Sequence, residues 1–183
     1  FGDAVPVLLP VRGNHMVMNA LLAAAVGLRE GIAPLEIAEA LAGVHLTHGR
    51  LEERSIRGID FIDDSYNANP DSMLAALQTV RSAEVKGRRV AVLGFMGELG
   101  EHEEIEHFRL GDRVVEQGID ALVTVGARAA LINERAGKLG VNLHFDTHTE
   151  AASFLRDYLT SGDLVLVKGS RSAAMEQVIA HLI

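Results

Sequence analysis

Hydrophobic and polar positions follow two different patterns along this chain. In the first fifty residues the apolar spacing is mostly helical. Residues 15–30 place Val17, Leu21, Ala24 and Leu28 on one face, with Gly31 as the stop. A shorter helix starting at Pro34 carries Leu35, Ala38 and Leu41 as far as Gly43. Ahead of both, residues 5–11 read as a strand weakened by Pro6 and Pro10, each of which lacks a ladder donor. A hinge-like stretch, Val44-His45-Leu46-Thr47-His48-Gly49-Arg50, then separates the two patterns.

From Leu51 onward, strand-like runs alternate with helical ones. Residues 51–56 and 58–63 predict two adjacent strands joined by a tight turn at Arg57-Gly58. A helix from Pro70 repeats Met73, Leu77 and Val80 at helical spacing. Strands follow at 89–93, 121–125, 141–145 and 163–167, separated by helices at 103–117, 127–139 and 150–159. A last helix carries Met175, Val178, Ile179 and Leu182, with Ser170 or Ser172 as its cap. This alternation predicts an α/β fold with a Rossmann-like, mostly parallel sheet flanked by helices over residues 49–183. Residues 1–48 then form a helical remnant of a different domain.

Composition narrows the function classes. At 48% hydrophobic and 23% charged over 183 residues, the chain is an ordinary globular one of one or two domains. A net charge of −8 argues against a nucleic-acid groove, although backbone amides and a few cations can still hold a phosphate. The absence of cysteine rules out disulfides and thiolate metal sites and suits a reducing compartment. No run approaches the roughly 20 apolar residues of a spanning helix, so no membrane partner is expected. The opening Phe1-Gly2-Asp3 has neither an initiator methionine nor a signal peptide, so the chain reads as starting inside a longer protein.

The richest stretch is Ile62-Asp63-Asp64-Ser65-Tyr66-Asn67-Ala68-Asn69-Pro70-Asp71-Ser72-Met73, where a strand, an acidic polar turn and a helix start meet. Asn69 suits an N-cap, Pro70 the first helical position and Asp71 the positive end of the dipole. Asp63, Asp64, the Gly94–Gly100 turn, Gly126 and Lys168-Gly169-Ser170-Arg171-Ser172 should share the carboxyl edge of the sheet, where α/β folds bind ligands. Asp64 could accept from ribose hydroxyls, or the acidic pair could simply cap a turn. Lys168 and Arg171 could neutralise a phosphate or a carboxylate, or pair at a helix end. Two cations beside a helix N-terminus oppose its dipole, and an anion there would account for them. The glycines of the 94–100 turn are spaced by three, unlike the dinucleotide fingerprint, and imply close backbone approach. No P-loop string occurs. His45 with His48, and His102 with His107 among glutamates, invite a metal reading, but first-turn acids and a solvated face explain them and no metal site is expected.

Five segments together resemble the C-terminal part of a Mur ligase, of the MurF type. They are Gly13-Asn14-His15-Met16-Val17-Met18-Asn19-Ala20, Gly49-Arg50-Leu51-Glu52, Asp63 through Met73, Val92 through Gly100, and Val165 through Ser172 with Met175-Glu176. Two positions depart from the family pattern: Met16 stands where an Asn is usual and Phe95 where an Asp is usual. The resemblance implies that residues 1–48 end a central ATPase domain and residues 49–183 form the C-terminal domain. It implies a cytoplasmic, monomeric ligase using ATP and Mg²⁺, both held mainly upstream. That enzyme joins D-Ala-D-Ala to UDP-N-acetylmuramoyl-tripeptide through an acyl phosphate in peptidoglycan synthesis. Carried over by position, Asn19, Arg50, Asp64, Tyr66, Asn67 and Asn69 would serve the nucleotide, and Lys168, Ser170 and Arg171 the acceptor. No catalytic residue is implied within this chain, which is expected to be inactive alone because the P-loop is absent.

Two other readings remain. One is a non-catalytic nucleotide-binding or interaction module derived from such a ligase, which the Met16 and Phe95 departures keep open. The other is a receiver-type phospho-acceptor domain. That needs an Asp ending a middle strand, which neither Leu93-Gly94 nor Val125-Gly126 supplies.

Overall fold

The computed structural model describes residues 4–11, 13–45 and 48–183. The chain divides into two compact units, Phe1–Thr47 and His48–Ile183. Leu46 and Thr47 of the expected hinge lie outside the described residues.

The first unit holds α1 (Asn14–Arg29) and α2 (Pro34–Ala42). Gly31 ends α1 in a positive-φ conformation, and Pro34 opens α2. A side chain at Gly27 would meet Ile37 Cδ1 at 3.0 Å, so the glycine lets α2 approach α1. The apolar face of α1 is open, with Val17 47%, Leu21 58% and Leu28 55% exposed. The strand expected over residues 5–11 is absent: the segment is irregular, its two prolines cannot donate, and among the described residues no strand pairs with it.

The second unit is a six-stranded sheet of order β1-β2-β6-β3-β4-β5, formed by β1 (Glu52–Ile56), β2 (Ile59–Asp64), β3 (Arg89–Leu93), β4 (Ala121–Val125), β5 (Val141–Phe145) and β6 (Leu164–Lys168). Only β1 runs antiparallel, joined to β2 by Arg57 and Gly58, both at positive φ (53° and 78°) as a two-residue hairpin turn requires. The helices are α3 (Pro70–Ser82), α4 (Glu103–Glu116), α5 (Ala130–Arg135), α6 (His148–Tyr158) and α7 (Glu176–Leu182). Strand alternation feeds two cores. Ala91, Leu93 and Leu166 meet Met73, Leu77, Val80, Leu110, Val114 and Ile132 of α3, α4 and α5. Val90, Val92, Val165 and Val167 meet Leu155, Val178 and Ile179 of α6 and α7. The fold class is therefore the expected α/β sandwich of helices about a mostly parallel sheet.

Two helices are shorter than their periodicity suggests. Residues 127–129 form a 3-10 turn before α5, which stops at Arg135, ahead of Gly137. The last helix is interrupted likewise: Ser170 precedes a 3-10 turn (Arg171–Ala173) without a side-chain cap bond, and α7 starts only at Glu176. Ala174 takes a left-handed conformation between them (φ 47°). That kink lets buried Met175 fill the space over Gly94 and Gly169, where an added Cβ would meet its side chain at 2.7 and 2.6 Å. The glycines at these two strand ends are thus required by a methionine.

Candidate functional site

Parallel register brings Asp64 opposite Lys168 and Lys168 opposite Leu93, so three strand ends converge on one edge. Asp63 is 1% exposed and turns inward, its Oδ1 accepting from the Ser65 amide (3.1 Å) and hydroxyl (2.6 Å). It holds the turn. Asp64 faces the edge, with Oδ1 accepting from the Leu51 amide at 3.1 Å and Oδ2 from Lys168 Nζ at 2.5 Å. The same ammonium donates to the Asn67 carbonyl at 2.9 Å. The Lys168 side chain is only 2% exposed, and burial pushes its pKa below the usual lysine value despite the opposing attraction of Asp64.

Lys168, whose charge the sequence leaves open between a ligand anion and a partner within the chain, is paired within the chain. Its anion is internal, and so is that of Arg171, whose guanidinium reaches Glu176 Oε1 at 2.9 Å. No bound anion is required to explain either charge. Lys168 instead fixes Asp64 and the Asn67 backbone relative to each other. Asn69 is likewise committed: with Ser72 it forms a reciprocal capping box on α3, as its sequence context predicts. Asn67 Oδ1 accepts from the Ala68 amide at 2.9 Å.

Arg50 and Tyr66 form the exposed part of the edge. The Tyr66 amide donates to the Gly49 carbonyl at 2.9 Å, and the Arg50 guanidinium lies 4.2 Å above the 43%-exposed Tyr66 ring. Gly49, at φ 73°, makes the turn that permits this. Arg50 has no carboxylate partner among the described residues. An uncommitted guanidinium on an aromatic platform fits the phosphate and planar parts of a nucleotide. Asp64 retains acceptor capacity beyond its two bonds, enough for a ribose hydroxyl. Asn19 lies exposed on α1 in the first unit, its Nδ2 3.9 Å from Met16 Sδ.

The Gly94–Gly100 turn packs beside this edge. The Gly94 amide donates to the Lys168 carbonyl at 2.8 Å, and the Ser170 amide to the Phe95 carbonyl at 2.9 Å. Ser170 is 3% exposed, with its hydroxyl 3.3 Å from that of Ser172. Phe95 does not leave a gap where the family carries Asp: its ring packs on both cores and lies 4.1 Å beneath the Arg128 guanidinium, which is paired with Glu103.

Among the described residues, His48, Glu52 and Asp63 are the group whose donor atoms all lie within 4.8 Å of one another. Arg54 already occupies them, 2.9 Å from Glu52 Oε1 and 3.9 Å from Asp63 Oδ2. Burial alone would raise the Glu52 pKa, but the Gly49 amide, Arg54 and His48 hold it below the usual carboxylate value. A histidine donor and a resident guanidinium do not fit Mg²⁺, which takes oxygen ligands. His102 is exposed while His107 is fully buried and used otherwise, so they share no metal. Sequence reasoning missed the Asp64–Lys168 pair and the roles of His107 and Arg128, each of which depends on contacts between separate elements.

Comparison with known proteins agrees with this geometry. Residues 49–171 match the family described as Mur ligase, glutamate ligase domain. A UDP-N-acetylmuramoyl-tripeptide–D-alanyl-D-alanine ligase of Bacillus subtilis (strain 168) is 38% identical over 179 residues, covering 96% of this chain and 39% of that protein. MurF from Acinetobacter baumannii superposes with a TM-score of 0.86 at 37% identity, over 96% of this chain and 39% of the other. MurF from Thermotoga maritima in complex with ADP gives 0.80 at 26% identity, over 93% and 38%. The chain thus spans about two fifths of the length of the proteins it matches. With the domain matched across most of its residues and the architecture shared with both MurF structures, this chain belongs to the Mur ligase family, as a C-terminal portion of the MurF type.

Proposed function

We propose that this chain is the closing portion of an ATP-dependent ligase that joins D-alanyl-D-alanine to a UDP-N-acetylmuramoyl-tripeptide in peptidoglycan synthesis. The observation that carries this reading is the edge where Arg50, Tyr66 and Asp64 meet inside a domain of this family. ATP supplies activation of the tripeptide carboxylate when bound. Arg50 would meet its phosphates, Tyr66 and Asp64 would meet the nucleoside, and Ser170 and Arg171 would line the acceptor side, with the guanidinium toward the dipeptide carboxylate. Lys168 acts through Asp64 and Asn67 rather than on the substrate. Closing such a domain over the site excludes water from the activated carboxyl group.

Residues 1–47 fit the end of a neighbouring ATPase domain, because α1 exposes Val17, Met18, Leu21, Leu22 and Val26, more apolar surface than a finished helix leaves to solvent. Among the described residues no helix is long and apolar enough to cross a membrane. From the family we read the full-length parent as a cytoplasmic, monomeric enzyme. The test is ligation by the full-length parent with ATP, Mg²⁺, UDP-linked tripeptide and D-alanyl-D-alanine. Product that depends on all four, an Arg50→Ala variant with a raised KM for ATP, and no turnover by the 183-residue chain alone are expected. Turnover by the isolated chain, or none by the parent, overturns the reading.

A further inference from the structure

His107 is the one fully buried histidine among the described residues, and neither the nucleotide nor the acceptor reading uses it. It sits on α4 with both ring nitrogens engaged. Nε2 accepts from the Met96 amide at 2.9 Å, and Nδ1 lies 2.7 Å from the Glu103 carbonyl, which can only accept. The imidazole is therefore held as the neutral Nδ1–H tautomer, one face of its chemistry tied to its own helix and the other to the glycine-rich turn. Met96 is the third residue of that turn. One residue earlier, the Phe95 carbonyl receives the Ser170 amide, and one before that, the Gly94 amide reaches the Lys168 carbonyl. Within this turn, the Met96 amide is bonded to a side chain that α4 supplies.

We propose that His107 is a positioning residue for the acceptor: through Met96 and Phe95 it sets the height of the Ser170 backbone. This rests on the ligase reading above. Glutamine and asparagine separate the two bonds, since the end of a glutamine reaches where Nε2 lies and the end of an asparagine where Nδ1 lies. His107→Gln keeps an acceptor for the Met96 amide; His107→Asn keeps only the bond within α4.

The experiment is steady-state kinetics of the full-length parent and both variants, with D-alanyl-D-alanine and ATP varied in turn. Expected for His107→Asn is a KM for the dipeptide raised about tenfold with the KM for ATP within about twofold, and near-complete recovery in His107→Gln. Equal dipeptide KM values in the two variants, or dipeptide and ATP KM rising together, overturn the proposal. A wild-type parent that does not ligate removes the underlying reading instead, so the two failures are distinct. Should the Asn variant not fold, NMR of the 15N-labelled wild-type and His107→Gln chains decides. An unprotonated Nε2 coupled to the Met96 amide, with the Ser170 amide at the same shift in His107→Gln as in wild type, supports it; an Nε2–H tautomer or a displaced Ser170 amide in His107→Gln overturns it.

Discussion

Asp64 and Lys168 show how much one buried pair can hold. Lys168 is out of water and needs its anion, and Asp64, 16% exposed, gives one carboxylate oxygen to it. Asp64→Asn leaves an ammonium that is 2% exposed without its anion, and the expected loss is about 3–5 kcal/mol of stability, read from urea unfolding. Lys168→Met in the Asp64→Asn background should recover a large part of it, because two neutral groups replace one stranded charge. Asp163 makes a different kind of statement at the opposite edge of the sheet. It is 1% exposed; burial would raise its pKa, but the Arg88 guanidinium at 2.6 Å and the amides of Thr160 and Arg88 hold it below the usual value. A carboxylate depressed in the folded state contributes stability above its unfolded pKa of about 3.9 and loses it as pH falls through the folded value. Asp163→Asn should therefore unfold at lower temperature than wild type at neutral pH, with the gap in melting temperature closing in acid.

At the scale of elements, close approach decides most of what the sequence alone leaves open. Gly111 is central to α4, and a Cβ there would lie 2.2 Å from the Ile132 carbonyl oxygen and 2.9 Å from Arg135 Cβ. Backbone cannot yield as a side-chain tip can, so Gly111→Ala should destabilise by about 1–3 kcal/mol although alanine favours helices, a reversal that thermal melts would reveal. The start of α3 was legible because Asn69, Pro70, Asp71 and Ser72 carry their capping chemistry within four consecutive residues. The Asp64–Lys168 bond was not, because its partners are 104 residues apart and meet only because β6 inserts between β2 and β3. Strand alternation predicts a parallel sheet without specifying that order. The sequence therefore leaves the partner of the lysine open between a ligand and the chain itself. Similarly, the sequence offers Ser170 or Ser172 as the cap of the last helix, whereas the fit of Met175 over two glycines moves its start to Glu176.

For the whole molecule, the two cores of the sheet draw every residue from Leu51 onward. A chain beginning at His48 should keep the unfolding transition of the sheet domain. The 183-residue chain should self-associate through the apolar surface of α1, and removing residues 1–47 should abolish that in size-exclusion chromatography. A sheet domain that loses its cooperative transition on truncation would contradict this division.

The stack of Arg50 on Tyr66 has a practical consequence. The chain has no tryptophan and two tyrosines, and the second, Tyr158, is enclosed between Arg88 at 4.0 Å and Phe154 at 5.2 Å. With Tyr158→Phe, all tyrosine emission comes from the ring beneath Arg50. The domain thus carries an optical reporter at its own edge, and drawing the guanidinium away toward a phosphate would register as a change in light without any label.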